Sequence, residues 1–192
     1  MMSPAARSGG NQYPYLRNQN VYWDRLELND VATMRFSDRE KRKFRLLPGD
    51  LLACEGRFVG RCAIWRGEID EVYYQKALHR LRSKNDEVVT TDFMLLYMLL
   101  RFGFDAGFVR QFNRESTIPH LPLEVLVKMP VPLPSASEQE QIVEAFDTLR
   151  QRERAERESV AKLRELKSGL MEDLLTGQVR VTDVETDATA PT

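Results

Sequence analysis

The chain has 192 residues, with 28 Lys and Arg against 29 Asp and Glu, and 42% of it is apolar. That length and apolar content suffice for one domain with a buried core plus an appendage. A net charge of −1 excludes a chain that is basic throughout, and two cysteines (Cys54, Cys62) and two histidines (His79, His120) exclude a disulfide framework and a histidine metal cluster.

Charge is unevenly spread. Residues 1–134 hold 20 Lys and Arg against 16 acids, and residues 135–192 hold 8 against 13. A mildly basic part is thus followed by an acidic one.

Residues 1–12 are rich in Ser, Gly and Pro and read as a flexible leader without an apolar signal core. Tyr13 to Ile69 favours strands. Val21-Tyr22-Trp23 is β-prone, Phe44 to Leu47 runs into the Pro48-Gly49-Asp50 turn, and Leu51 to Cys54 and Cys62 to Trp65 are short buried runs. Val72 to Leu81 reads as a further strand. Thr90-Thr91-Asp92 offers caps for a buried helix over Phe93 to Phe102, ending at Gly103. That apolar stretch is far short of the roughly 20 residues of a membrane span. Leu123 to Val127 reads as one turn or a strand. The expected fold class is α+β, a small mixed domain over residues 13–134.

Met129-Pro-Val-Pro-Leu-Pro134 is a stiff linker. A long helix over 135–177 follows, with Ser137 and Glu140 as its capping box and Gly177 as its C′ residue. Ile142, Phe146, Leu149, Val160, Leu163, Leu170 and Leu174 recur at coiled-coil spacing, interrupted between Arg150 and Ser159, where Glu153 and Glu156 take seam positions. Such a helix is roughly 60 Å long at about 1.5 Å per residue. Its stripe calls for a partner helix. Residues 178–192 read as a flexible tail.

Candidate contacts for a polyanion are the basic run Arg35, Arg39, Lys41, Arg42, Lys43 and Arg45, the pair Arg57 and Arg61 beside Gly56 and Gly60, and Gln75, Lys76, His79 and Arg80 after a strand-like run. Each has an ordinary counterpart, a solvated face or a hairpin connection. Arg17, Asn18 and Asn20 fit either a contact or a turn held by asparagine side chains. Trp23, Trp65, Cys54 and Cys62 read as core, and His120 as a loop residue. No phosphate loop, methyltransferase signature or nucleophile elbow is present, so the expectation is a non-enzyme.

Several of these residues stand in an order found elsewhere. Tyr13-Pro-Tyr-Leu-Arg-Asn-Gln-Asn20, Gly49-Asp50-Leu-Leu52, Pro132-Leu-Pro134, Glu138-Gln139, Ile142, Leu166-Lys167, Leu170-Met171, Leu174-Leu-Thr-Gly177 and Arg180-Val181 resemble the specificity subunit of type I restriction-modification systems over roughly Tyr13 to Val181. The resemblance implies a target-recognition domain that reads half of a split site in double-stranded DNA; the residues expected to make its contacts are Arg17 and Asn20, which match a family motif, and Arg35, Arg39, Lys41, Arg42, Lys43, Arg57, Arg61, Gln75, Lys76 and Arg80 from the charge pattern. It implies a spacer helix that docks methyltransferase subunits, with the restriction subunit joining them in the cytoplasm. No cofactor is expected on this chain, and S-adenosylmethionine, ATP and Mg are expected on those partners. A full subunit of the family has two such domains and two helices. One of each implies self-association or pairing with another half-subunit. The short N-terminus keeps a second reading open, a truncated assembly protein that acts through its helix without binding DNA.

Overall fold

The computed structural model describes residues 11–84, 88–110 and 120–180. The chain divides into two units, Met1–Val143 and Glu144–Thr192.

In the first unit, strand β1 (Tyr13–Leu16) pairs antiparallel with β2 (Ala32–Met34), Tyr13 opposite Met34, and parallel with β5 (Tyr73–Tyr74), Tyr15 opposite Tyr73. A second sheet is antiparallel, β4 (Cys62–Ile64), β3 (Leu51–Cys54) and β6 (Leu78–Leu81), with Leu52 opposite Ala63 on one side and Arg80 on the other. Successive strand side chains point to opposite faces. In β3, Leu52 and Cys54 therefore enter one core cluster, with Leu16, Phe36, Phe44, Trp65 and Tyr73. Leu51 and Ala53 enter another, with Leu95, Met98, Phe102, Leu121 and Leu126. A strand buried on both faces has no polar alternation, which is why these segments read as unbroken apolar runs. At the mouth of β3 the fully buried Asp50 accepts Leu47 N–H at 2.8 Å and the Arg82 Nε and Nη2 donors at 2.6 and 2.8 Å.

Several local expectations are corrected. Helix α1 (Asp38–Phe44) lies inside the segment expected to be strands. Ser37 caps it, bonding reciprocally with Glu40, and Lys41, Arg42 and Lys43 fill its last turn, where cations meet the negative end of the helix dipole. Val21 makes a single bridge to Leu26 rather than a strand, and a turn closed by Tyr22 N–H to Arg25 C=O leaves Trp23 38% exposed, whereas Trp65 is buried as expected. The Val72 to Leu81 segment breaks into β5 and β6, because Leu78 N–H returns to Gln75 C=O at 2.9 Å.

Helix α2 (Thr91–Met98) is capped by Thr90, whose hydroxyl accepts Phe93 N–H at 3.2 Å, and it runs on as a π-helical turn, Leu99–Phe104. Helix α3 (Ala106–Arg110) follows. Leu123–Lys128 is a helix, α4, that buries Leu126.

Helix α5 (Ala136–Leu175) is 40 residues long. Its capping box uses Ser135 and Glu138, two residues earlier than the expected Ser137 and Glu140. Pro134 has no N–H to satisfy, so the helix can start directly behind it. Gly177, at φ +75°, closes the helix as expected, with Val179 N–H bonded to Asp173 C=O at 3.1 Å. The seven seam residues lie between 36% and 62% exposed. Between the two apolar groups the helix carries Arg157–Glu153 and Arg154–Glu158 pairs at 2.6 and 3.3 Å, which suit a solvated face.

Candidate nucleic-acid interface

Helix α1 concentrates the predicted cations. Its backbone turns Lys41 and Arg42 to one flank and Arg39 and Lys43 to the other, since residues three and four apart share a face. On the first flank an open groove of about 310 Å³ is lined by Lys41, Arg42, Arg45, Arg80 and Arg82, with Leu47, Glu71 and Tyr73. Its lining holds five cations and the Glu71 carboxylate, and Arg82 is paired with the buried Asp50. Arg80 is delivered by β6 and fixed by a 2.9 Å bond to Arg45 C=O, with its guanidinium carbon 5.5 Å from the Tyr74 ring centre. Lys41 lies over the Tyr13 ring and donates to its hydroxyl. Arg82 was not among the candidate contacts. Arg45 belongs to the basic run, but Arg82 reaches the groove only through the β3–β6 pairing.

On the other flank a groove of about 390 Å³ is lined by Ser37, Arg39, Glu40, Lys43, Phe44 and Lys76. Hydrogen bonds from the Ser37 backbone and side chain, and the nearby charge of Lys76, hold the Glu40 carboxyl below its ordinary range. Arg35 stands beyond the start of α1, with Phe36, Ser37, Asp38 and Glu40.

The remaining predicted residues are elsewhere. Arg57 and Arg61 lie past the far end of β3, stacked on Phe58. Gln75 is half-buried at the end of β5, and its backbone N–H bonds Leu16 C=O at 2.9 Å. Arg17 is tied to Asp30 at 3.1 Å. Asn20 is 1% exposed: its amide donates to Glu27 and Asp30 carbonyls at 2.9 Å each and its oxygen accepts Arg17 N–H. It organises the loop after β1, and as a contact residue it is corrected. His79 is also buried, with Nε2 2.8 Å from Leu121 C=O, so it does not point into a groove.

Burial pushes the Cys54 thiol up to about 12, and Cys62 is raised as well by burial and nearby Asp24, so both are protonated core groups. Among the described residues no three His, Cys, Asp or Glu side chains converge on a metal position. No helix among them is long and apolar enough to cross a membrane.

The type I restriction modification DNA specificity domain family matches this chain over residues 6–165. The chain belongs to that family. The family is a DNA-recognition module, which fits the cation-lined flanks of α1 and the mixed α and β architecture. A solved structure on complex assembly and conformational transition of the type I R-M system contains a chain with the same fold, at a TM-score of 0.59 and 17% identity. The match covers 90% of this specificity domain chain and 41% of that one. This chain therefore spans less than half the length of its structural relative.

Proposed function

We propose that this chain is a non-catalytic, sequence-specific DNA-binding specificity subunit of a type I restriction-modification system, or one half of such a subunit. The observation that carries the reading is the pair of basic grooves on the two flanks of α1, in a chain of the DNA specificity family. Cations gathered on one short helix suit a duplex backbone, whose charges repeat about every 1.7 Å of axis. Residues 13–134 would form the recognition domain and read a half-site, with Lys41, Arg42, Arg39, Lys43, Lys76 and Arg80 on phosphates. Residues 135–177 would form the spacer.

The exposed stripe on α5, from Ile142 to Leu174, supports a role in assembly. We assign it to an antiparallel partner helix, from a second copy or another half-subunit, and to the docking of methyltransferase and restriction subunits. Those partners would bring S-adenosylmethionine, ATP and Mg. Two identical recognition domains related by a twofold axis would read an interrupted palindrome.

The test is selection from random duplex DNA with the full chain co-expressed with its methyltransferase subunit. An interrupted palindrome is the expected product. An asymmetric bipartite site would place a different half-subunit in the complex. A complex that assembles but enriches no sequence would overturn DNA reading and leave an assembly protein acting through its helix.

A further inference from the structure

Two tight turns meet past the end of β3 that lies away from Asp50. One is the Tyr22–Arg25 turn, which holds Asp24 at φ +58°. The other follows Gly56, holds Arg57 at φ +59°, and is closed by Arg61 N–H to Phe58 C=O at 3.0 Å. Asp24 N–H joins them through Cys62 C=O at 2.9 Å. Left-handed backbone at a non-glycine costs on the order of 1 kcal/mol or more and persists where the surroundings impose it. Here it brings two rings and three guanidinium groups together.

Arg61 is the centre of that cluster. Its guanidinium carbon is 4.0 Å from the Phe58 ring centre and 4.9 Å from that of Tyr22. Arg57 lies 5.3 Å from Phe58, and Arg25 lies 4.7 Å from Tyr22. Arg25 has Glu27 at 3.9 Å, but neither Arg57 nor Arg61 forms an ion pair among the described residues. A guanidinium stacked by its face on aromatic rings keeps its N–H edge for an in-plane partner. Its fork matches two chemistries, a phosphate and the O6/N7 edge of guanine.

The surroundings favour guanine. The grooves beside α1 mix lysines with arginines, and a lysine grips a phosphate as a point charge. The cations of this cluster are all arginines, and the central one has two aromatic rings within 5 Å of its guanidinium carbon, an arrangement that phosphate neutralisation does not require. We propose that Arg61, held by Tyr22 and Phe58, is a specificity-determining residue that presents its fork to a guanine in the major groove, while the flanks of α1 supply sequence-independent grip. This rests on the DNA-binding reading above.

The experiment uses the full chain with its methyltransferase subunit and the duplex recovered by wild-type selection. Each guanine in turn is replaced by 7-deazaguanine, which removes the N7 acceptor without touching the protein. At one position affinity should fall about 10-fold or more for wild type. Arg61→Lys, which keeps the charge and loses the fork, should lower the preference for guanine at that position by a similar factor and leave the salt dependence unchanged. Lys41→Ala with Arg42→Ala should instead weaken all sequences alike. If no 7-deazaguanine changes binding by wild type, Arg61 reads no guanine and the proposal fails, while DNA recognition stands. The same holds if folded Arg61→Lys retains the full preference. Failure of wild type to enrich any sequence overturns both readings.

Discussion

Gln139, in the first turn of α5, accepts the backbone N–H of Thr90, the residue that caps α2, at 3.1 Å. The same side chain donates to Val88 C=O at 2.8 Å and Pro134 C=O at 3.0 Å, and it is fully buried. One amide thus satisfies a donor and two acceptors in the segments before two helices. Replacement by Leu keeps the volume and removes all three partners. Leaving buried polar groups unmet costs about 1–3 kcal/mol each where water cannot enter. Gln139→Leu should therefore lower the urea midpoint by the equivalent of about 2 kcal/mol or more. An unchanged midpoint would mean that solvent satisfies these groups.

Gly60 carries the closest backbone approach in the second core. A Cβ built there would fall 2.2 Å from the Phe102 ring, and the backbone sits at φ +78°. The π-helical turn aims Phe102 at this spot, so strain and overlap act together. Gly60→Ala should cost about 2–4 kcal/mol. Gly60→Ala with Phe102→Leu should recover part of the loss, since only the overlap is relieved. Thermal unfolding of both variants measures the split.

Acid should loosen the starts of α1 and α5. Bonds from the Ser37 backbone and side chain lower the Glu40 carboxyl, and Ser135 does the same to Glu138, its side-chain bond acting most strongly. A depressed folded value means that the stabilisation is complete above the ordinary carboxylate range and is lost as pH falls through the lowered values. Protection of the first-turn amides of α1 and α5, taken relative to their intrinsic exchange rates, should fall below about pH 4.5. Ser37→Ala should remove the pH dependence of α1 alone.

The sequence carried β3, β4 and the long helix because each has a local signature. Leu51–Cys54 is apolar at every position since both of its faces are buried, and α5 repeats its stripe over many turns. Helix α1 has no such stripe. Of its seven residues only Phe44 is buried, so no periodicity marked it among strand-like neighbours. The cap fell at Ser135 instead of Ser137 because two overlapping Ser-x-x-Glu patterns look alike in the sequence. The basic grooves were half legible. Lys41 and Arg42 stand in an evident run, but Arg80 and Arg82 join them through strand pairing that no local pattern reveals. Asn20 misled because a loop-organising asparagine and a contact asparagine look alike until burial is known.

The last turn of α1 should dominate the salt dependence of DNA binding. Each neutralised phosphate contributes about −0.9 to the slope of log K against log salt. Lys41→Ala, Arg42→Ala and Lys43→Ala together should flatten the slope by about 2–3, weakening cognate and random duplexes by the same factor. These side chains are partly or fully exposed, so folding should be little affected. A slope that does not change would move the phosphate contacts to the Arg57 and Arg61 side of the domain.

Pairing through α5 is open to a direct test at Leu163 and Leu170, which are 62% and 43% exposed and belong to neither core cluster. They hold seam positions seven residues apart, flanked by Leu166 and Met171, which widen the apolar face. Burying a leucine side chain is worth about 1.5–3 kcal/mol, and placing a carboxylate in the same seam adds a desolvation cost. Leu163→Asp with Leu170→Asp should weaken association by about 100-fold or more. Sedimentation equilibrium should then report a smaller species, while the thermal transition of residues 11–143 stays in place because neither side chain contributes to their cores. Association of wild-type strength in this variant would place the partner helix on another face of α5.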